Sequence, residues 1–417
     1  MFKKSQFRWV VTLMVVLLAA GSFGWWWQSN ARQGKYRDLL PAFYVISVLK
    51  INYYQPVSSI ALMKAYWKTG SIAGMLKILK DPYTRFLAKN EYAELRKEAK
   101  GTFGGIGVYL IPKEEELLIS SVIQGSPSEK AGLQQGDRII AVDKKTVTHL
   151  SMEVAIVKIR GLVDSQVLLR VVRGEGTNRK ELDFKVTRAI IAIPTVEMKM
   201  KQDPLLGKYA QIKIFQFAET TPVDLDRFLR QLDKTLDCRG LIFDLRDNPG
   251  GSLDAAIKVA SQFLPAGTPI IHVKRRGFPN QTLEAEYYVH KKWPMVVLVN
   301  SWSASAAEIV SGAIKDQKRA VLVGTHTFGK DLIQEVKGLP GDTGITITIA
   351  SYLTSKKVNI HKKGVFPDRV VEIPGALNQL LKRGDPKLFF KMQQLQEAEA
   401  VKILREQILP GKKALAS

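Results

Sequence analysis

Three serines in close succession form the pattern in this sequence that is best placed for chemistry. The stretch VLVNSWSASAAEIVSGAIKD, residues 297–316, holds Ser301, Ser303 and Ser305 between an apolar run and a segment with helical spacing. A strand, a tight turn and a helix N-terminus can expose a nucleophile, and the free N–H groups of the first helical turn can stabilise an oxyanion. Ser305 lies nearest the predicted helix start and precedes Ala306, so these two residues are a candidate nucleophile and oxyanion donor.

The same segment also fits a purely structural role. Ser305 followed by Glu308 three positions later is the pattern of a capping box, in which each side chain satisfies a backbone N–H group of the other residue. Taken alone, the segment favours the cap, because a nucleophilic serine also needs a partner that takes its proton.

A lysine in the next segment could be that partner. Lys330 follows a predicted strand and a turn at Gly329 in RAVLVGTHTFGKDLIQEV, residues 319–336. An ordinary lysine has a pKa near 10.4 and is only about 0.04% neutral at pH 7, so its pKa must fall by roughly 3.4 units. A dry pocket disfavours the charged form enough to do this. Gln334 could orient the amine by a hydrogen bond, and the alternative is an ordinary surface lysine on a loop.

A histidine-based triad is the competing arrangement. His326 lies four residues before Lys330, and Asp244 or Asp247 could be the buried carboxylate that such a triad requires. No spacing in the sequence favours this set over the lysine. We therefore expect His326 to pack at the end of its strand.

Short strands punctuated by glycine indicate a separate module at residues 101–190. GGIGV and SPSEKAGLQQGDRIIAVD, residues 104–108 and 126–143, together with a predicted helix at 151–160, resemble a PDZ domain. Such a domain adds a peptide beside a strand and binds its terminal carboxylate with backbone N–H groups. The alternative is a β-hairpin whose glycines only turn the chain. The resemblance assigns the carboxylate-binding loop to Gly105, Ile106, Gly107 and Val108.

The serine and lysine blocks are accompanied by two further motifs, IFDLRDNPGGSL at 242–253 and HKKGVFPDRVVEIP at 361–374. Together these four motifs resemble the carboxyl-terminal processing proteases, which are tail-specific serine peptidases with a PDZ domain. The resemblance extends over residues 35–375 in the family's order of helices, PDZ domain and core.

The resemblance implies roles for individual residues. It makes Ser305 the nucleophile, Lys330 the general base and Gln334 its orienting partner. Gly251 would donate one oxyanion N–H and Ala306 the other. Arg160, at the end of the predicted PDZ helix, is a candidate sensor that reports peptide binding to the core.

Two positions depart from the family's pattern. Ala307 replaces a serine, with little effect expected, and Asp331 follows the lysine where glycine is usual. A carboxylate beside Lys330 would favour the charged amine and oppose the required pKa depression. The effect is small if Asp331 points to solvent, whereas an ion pair would weaken activity or move it to higher pH.

The resulting fold class is multidomain α+β, with a core that is crotonase/Clp-like by resemblance. Its parts are 1–30 as cytoplasmic N-terminus and transmembrane anchor or signal segment, 35–100 as an N-terminal helical region, 101–190 as the PDZ domain, 191–375 as the α/β peptidase core, and 376–417 as a helical C-terminal region.

The first residues predict contact with the cytoplasmic membrane. Lys3, Lys4 and Arg8 precede an apolar stretch from Trp9 to Trp27, whose nineteen residues are close to the length of a membrane span. The positive flank would stay in the cytoplasm, so the catalytic part would lie on the periplasmic or extracellular side. A cleaved signal peptide is the alternative, but the tryptophans at 25–27 fit an interfacial anchor better.

Composition narrows the function classes. The net charge is +23, from 62 Lys and Arg against 39 Asp and Glu, but the basic residues are spread along the chain without a nucleic-acid motif, so no nucleic-acid partner is expected. The single cysteine and the spacing of the five histidines predict no metal, and the chemistry above needs no cofactor.

These observations predict a membrane-anchored serine endopeptidase whose PDZ domain binds protein substrates with an exposed apolar C-terminus. Dimerisation is implied only by the resemblance. A catalytically weak PDZ anchor or adaptor that presents tails to another protease is the alternative, favoured by Asp331 alone. A basic scaffold that binds cell wall or lipid is a third interpretation, based on charge and the anchor.

Overall fold

The computed structural model describes residues 39–409, apart from 100–101, 114–115, 124, 149–154, 156–157, 162, 175–178, 193, 287–289, 291–292 and 373–385. Packing divides the chain into two compact units. The first contains the described residues up to Ala93 together with Ile271–Leu283 and Asp331–Asn359. The second contains Glu94–Ile270, Glu284–Lys330 and the described residues from Ile360 onward.

The helices with described bounds are α1 (Leu39–Asn52), α2 (Ser59–Thr69), α3 (Ile72–Leu76), α4 (Lys89–Ala99), α5 (Pro127–Ala131), α6 (Thr221–Asp233), α7 (Leu253–Ser261), α8 (Ala306–Asp316) and α9 (Pro386–Ile408), with a 3₁₀ turn at Lys77–Leu79.

The strands are β1 (Arg85–Leu87), β2 (Thr102–Gly105), β3 (Val108–Lys113), β4 (Glu116–Val122), β5 (Arg138–Val142), β6 (Lys145–Thr146), β7 (Gln166–Arg173), β8 (Lys180–Thr187), β9 (Ala189–Ala192), β10 (Val196–Asp203), β11 (Gly207–Ile214), β12 (Cys238–Asp244), β13 (Pro269–Arg275), β14 (Gln281–Glu284), β15 (Met295–Val299), β16 (Val321–Gly324), β17 (Leu332–Leu339), β18 (Thr343–Thr354) and β19 (Arg369–Val370).

In the first unit, helices pack on a sheet centred on β18. This strand pairs antiparallel with β1, β13 and β17. Buried side chains of α1, α2 and α3 form one apolar cluster with Leu339, Ile345 and Ile347 of the sheet. Removal of this apolar surface from water holds the helices in place.

One short strand interrupts the stretch in which helices were predicted. The Asp81 carboxylate accepts hydrogen bonds from the Tyr83 N–H at 2.9 Å and from the Thr84 and Thr348 hydroxyls, each at 2.7 Å. This joins the turn before β1 to β18. Residues 85–87 therefore pair as a strand, because a long-range contact outweighs the local helical pattern.

The PDZ module has its own sheet and core. Its strand order is β3-β4-β5-β7-β8, with β6 beside β5, while β2 and β9 form a separate two-stranded ribbon. The inward side chains of these strands form a continuous apolar cluster. The helix predicted at 151–160 lies largely outside the described residues, of which Ala155, Lys158 and Ile159 are helical.

The core sheet brings three loops to one edge. Its order is β10-β11-β12-β15-β16-β19, and every pair from β11 onward is parallel. Parallel strands present their carboxyl ends at the same edge of a sheet, where ligands usually bind. The loops after β12, β15 and β16 hold the NPGG, serine and lysine motifs. The sheet therefore gathers at one edge three motifs that are far apart in sequence.

No helix within the described residues is long and apolar enough to cross a lipid bilayer. The predicted anchor, residues 1–30, lies outside the described residues.

Candidate active site

Ser305 occupies a strained position between β15 and α8. It is the N-cap residue of α8 and is half-buried, with φ 53° and ψ −112°. A non-glycine residue rarely adopts positive φ, and such strain persists only where the surrounding structure holds it. The predicted strand, turn and helix start are therefore present, and Ser305 lies at the turn.

A buried carboxylate holds this turn. Glu308, which is 1% exposed, accepts the Ser305 N–H and the Lys330 N–H on one oxygen, each at 2.8 Å. Its other oxygen accepts the Thr327 hydroxyl at 2.5 Å and the Gly329 N–H at 2.6 Å. Four donors fill the lone-pair positions that an ionised carboxylate offers.

Glu308 therefore does more than the predicted capping box. It joins the backbone of the candidate nucleophile to that of the candidate base. Ser305 lies about one helical turn before Glu308, and Lys330 lies in the loop after β16. The sequence pattern indicated only the contact with Ser305. The contacts with residues 327–330, which we call the TFGK loop, depend on the pairing of β15 with β16.

The NPGG turn lies directly against Ser305. A Cβ atom at Gly250 would come within 2.8 Å of the Ser305 Cβ and 3.0 Å of the Ala306 nitrogen, and one at Gly251 within 2.2 Å of the Phe217 carbonyl oxygen. The φ angles of these glycines are +100° and +142°. Only glycine fits both positions, so the turn brings two backbone peptides next to the start of α8.

Asn248 holds the NPGG turn in place. Its side-chain amide donates to the Ile214 carbonyl, and its side-chain oxygen accepts the Gly250 N–H at 2.8 Å. Its backbone carbonyl accepts the Ala304 N–H at 2.9 Å. This buried residue, which was not singled out in the sequence, joins β11, the NPGG turn and the serine turn.

The other serines have different surroundings. Ser303 is fully buried; its hydroxyl donates to the Leu245 carbonyl and accepts the Asn300 N–H. Ser301 is exposed. Ser303 is thus a structural link between two loops, and Ser305 is the serine at the strained helix start.

The proposed carboxylates of a histidine triad have other partners. The buried Asp244 forms an ion pair with Arg246 at 2.6 Å, and Asp247 accepts hydrogen bonds from Asn300 and Gln393. His326 is exposed, and its ring lies 6.1 Å from that of Phe366 in a stacked arrangement.

Asp331 is buried, 4% exposed, so of the two alternatives left open by the sequence, the one in which it points to solvent does not apply. Desolvation raises the pKa of Tyr54, and the charges of Asp81 and Asp331 add to this effect. The Asp331 carboxylate therefore acts on a tyrosine of its own unit. Gln334, in the same unit on β17, donates its side-chain amide to the Leu332 carbonyl at 3.1 Å. Its orienting role toward Lys330 stays a prediction.

The predicted carboxylate loop of the PDZ domain packs on the start of α5. Gly107 has φ +82°, and a Cβ there would come within 2.3 Å of the Ser126 Cβ. The Ser126 hydroxyl donates to the Gly107 carbonyl, and the Ser128 N–H donates to the Ile106 carbonyl. Gly105 is buried, and Val108 begins β3. Residues at the start of the stretch 126–143 thus support the loop formed by residues 104–108.

A buried arginine organises the residues next to Arg160. The Arg188 guanidinium donates to the carbonyls of Lys158 and Ile159 and to the Ser165 hydroxyl. Arg188 directly precedes β9, whose partner β2 leads into the carboxylate loop. Arg160, half-buried, therefore follows a helix end that is tied to the ribbon beside this loop.

Comparisons with known proteins define the class. The model of peptidase family S41 matches residues 208–371, and a PDZ-domain model matches residues 118–173. The carboxyl-terminal-processing protease of Synechocystis sp. is 36% identical over 306 residues, which cover 73% of this chain and 71% of that protein. The carboxy-terminal processing protease CtpA of Bacillus subtilis is 33% identical over 367 residues, covering 88% of this chain and 75% of that protein.

A solved structure is also similar to this chain over most of its length. The photosystem II D1 C-terminal processing protease aligns with a TM-score of 0.54 and 28% identity, covering 81% of this chain and 93% of that chain. The fold and sequence thus define a PDZ-containing serine peptidase of family S41. Within that class, the chain belongs to the carboxyl-terminal processing proteases, which confirms the family predicted from the four motifs.

Proposed function

We propose that this chain hydrolyses a peptide bond near the apolar C-terminal tail of a protein substrate, with Ser305 as nucleophile and Lys330 as general base. The observation that carries the proposal is the Glu308 carboxylate, which accepts the backbone N–H of both residues. An enzyme must hold its nucleophile and base in a fixed relation, and this buried carboxylate with four donors fixes the backbones that carry both side chains.

The reaction proceeds in two steps. The Ser305 hydroxyl adds to the substrate carbonyl while its proton passes to the neutral Lys330 amine. The resulting ammonium then protonates the leaving nitrogen as the C–N bond breaks, which leaves an ester on Ser305. A water molecule, deprotonated by Lys330, hydrolyses the ester and restores the serine. Cleavage therefore rises with pH as Lys330 loses its proton.

The oxyanion of each step is bound by the N–H groups of Gly251 and Ala306. Ala306 is the first residue of α8, where the helix leaves backbone N–H groups without helical partners. The packing of the NPGG turn against Ser305 supports the second donor. Two such donors oppose the negative charge that develops in the transition state.

The PDZ domain supplies substrate choice. Gly105, Ile106, Gly107 and Val108 bind the terminal carboxylate, and an apolar pocket takes the last side chain. Arg160 reports this binding to the core. An Arg160→Ala variant is expected to lose the dependence of cleavage on the tail, and full tail-dependent activity in that variant would remove the sensor role.

The decisive experiment compares serine variants of the full chain in detergent micelles. The substrate is an unstructured protein with an apolar tail, and a copy that ends in two aspartates is the control. Ser305→Ala is expected to reduce cleavage roughly 10³-fold or more, whereas Ser301→Ala, at the exposed serine of the same turn, retains it. Products are identified by mass spectrometry between pH 6 and 10.

A tail-binding adaptor without proteolysis is the second candidate. Asp331, which is buried and directly follows Lys330 in the sequence, favours it, because a carboxylate near the amine would stabilise the charged form. The same experiment separates the two functions. Binding of the apolar tail by both parent and Ser305→Ala, with no cleavage by the parent at any pH, would establish the adaptor.

Residues 1–30 complete the proposal as a signal anchor in the cytoplasmic membrane, with the peptidase on the periplasmic or extracellular side. Lys3, Lys4 and Arg8 before the apolar stretch support this orientation. Homodimer formation and the crotonase/Clp-like character of the core stay predictions.

A further inference from the structure

Exposed aromatic side chains border the candidate active site in the second unit. Trp302 is 67% exposed, Phe328 52% and Phe366 60%, and His326 is also exposed. Large apolar side chains in such numbers on a small surface indicate a contact site. We call these four residues the aromatic strip.

Backbone hydrogen bonds make the strip continuous. The Phe328 N–H donates to the Ser303 carbonyl at 3.0 Å, which places the segment of Phe328 next to that of Trp302. The Thr327 N–H donates to the Val365 carbonyl at 3.1 Å, which places Phe366 on the other side. His326 lies between, stacked on Phe366.

The backbone on either side of Phe328 is also held in a fixed relation to that of Ser305. Phe328 lies between Thr327 and Gly329, and both of these donate to one oxygen of Glu308. The other oxygen accepts the Ser305 N–H. An exposed aromatic ring therefore stands on a backbone that is fixed by the same carboxylate as the candidate nucleophile. A fixed backbone lowers the entropy that is lost when the side chain it carries contacts a ligand.

Chain geometry limits what the strip can reach. Trp302 lies three residues before Ser305, and Phe328 lies two residues before Lys330. An extended peptide advances about 3.3 Å per residue, so the backbones of Trp302 and Phe328 lie within roughly three residue lengths of those of Ser305 and Lys330. The strip is therefore within reach of the residues that flank a peptide bond placed at Ser305.

We propose that the aromatic strip is a subsite for apolar side chains of the substrate that flank the cleaved bond, so that Trp302, Phe328 and Phe366 determine cleavage-site specificity. This rests on the proposed function. It differs from recognition of the terminal residue, because the PDZ loop selects the tail whereas the strip selects the position of the cut. The same aromatic residues could instead contact a lipid bilayer or a second copy of the chain, and these are the two alternative outcomes of the test.

The experiment measures cleavage of a substrate series by the full chain in detergent micelles. All members carry the same apolar tail, and the residues that flank the cut in the parent reaction are changed to Leu, Phe, Ser or Lys. Phe328→Ala is expected to lower kcat/KM about tenfold to a hundredfold for the Leu and Phe members, and less than about threefold for Ser and Lys. Phe328→Leu restores most of the preference.

Phe278→Ala is the matched control, since Phe278 is an aromatic residue of similar exposure, 57%, in the other unit. If the parent cleaves no member, the proposed function itself fails. If the parent cleaves and Phe328→Ala lowers all members equally or none, the subsite is overturned. Loss of vesicle binding, or of a dimer by mass measurement, with an unchanged substrate preference would assign the strip to a membrane or to a second copy instead.

Discussion

The serine turn, at Ser305, and the PDZ loop, at Gly107, are built from the same kinds of residue. In each, a glycine with positive φ packs against a serine that caps a helix: Gly250 against Ser305, and Gly107 against Ser126. In each, a glutamate three residues after the serine accepts a backbone N–H at the helix start. One local design therefore serves two proposed tasks, oxyanion binding and carboxylate binding.

The two regions differ in strain and in burial. Ser126 has an ordinary extended backbone, φ −73° and ψ 162°, and its hydroxyl accepts the Glu129 N–H. Ser305 has φ 53°, and Glu308 takes four donors where the exposed Glu129 takes one. A satisfied cap suffices to hold a binding loop, whereas the candidate nucleophile needs a buried network that keeps it in a strained position.

Among the variants that test this comparison, the largest effect is expected from a side chain at Gly250. In Gly250→Ala the new Cβ would lie 2.7 Å from the Ala304 carbonyl oxygen and 2.8 Å from the Ser305 Cβ, at φ +100°. Displacement of the proposed oxyanion donors should lower kcat roughly 10²-fold or more. Tail binding, measured by fluorescence anisotropy of a labelled peptide, should change less than about twofold. A variant with parental kcat would show that the contact between Gly250 and Ser305 does not matter for hydrolysis, which would contradict the comparison of the two turns.

Glu308→Gln tests the difference in burial. An amide nitrogen in place of one oxygen would face two donors. The free energy of unfolding should therefore fall by about 2–4 kcal/mol. Cleavage should fall roughly tenfold to a hundredfold, because the Ser305 and Lys330 backbones separate. Glu129→Gln, at the equivalent position of the PDZ loop, should change stability by no more than about 0.5 kcal/mol. Urea unfolding and steady-state kinetics measure both, and equal effects would contradict the comparison.

Gly107→Ala should weaken the binding of apolar tails and leave peptide hydrolysis nearly unchanged. Its Cβ would clash with Ser126 at 2.3 Å, so the affinity for an apolar tail should fall about tenfold or more. Hydrolysis of a short unstructured peptide without such a tail should change less than about threefold. Gly136→Ala is the control, because Gly136 also has positive φ, +92°, but has no atom within 4 Å of the new Cβ. A similar loss of affinity in both variants would show that backbone strain alone is responsible.

The smallest effect is expected at the ordinary cap. Ser126→Ala removes the acceptor for the Glu129 N–H and should destabilise the PDZ module by about 1 kcal/mol. Hydrogen exchange of the α5 amides should accelerate, while Ser126→Thr should keep the protection. Unchanged exchange in Ser126→Ala would mean that the cap does not hold the loop.

Local sequence predicted the parts of the site that depend on local spacing. The strand before Ser305, the helix after it, the turn at Gly329 and the glycines of the NPGG motif follow from residue types within a few positions. Steric rules and capping act over this range, so each motif could be placed on its element. The strand at Arg85–Leu87 escaped prediction, since it depends on pairing with β18 and on the hydrogen bond between Thr348 and Asp81 of the preceding turn.

The sequence by itself thus determined the family, the order of motifs and the identity of the candidate serine and lysine. Only the tertiary structure decided what surrounds them. Glu308 meets the TFGK loop, and Asn248 meets the serine turn, because parallel pairing of β12, β15 and β16 brings three loop ends to one edge. The aromatic strip forms for the same reason. Contacts of this kind join residues far apart in sequence, and no spacing pattern along one segment encodes them.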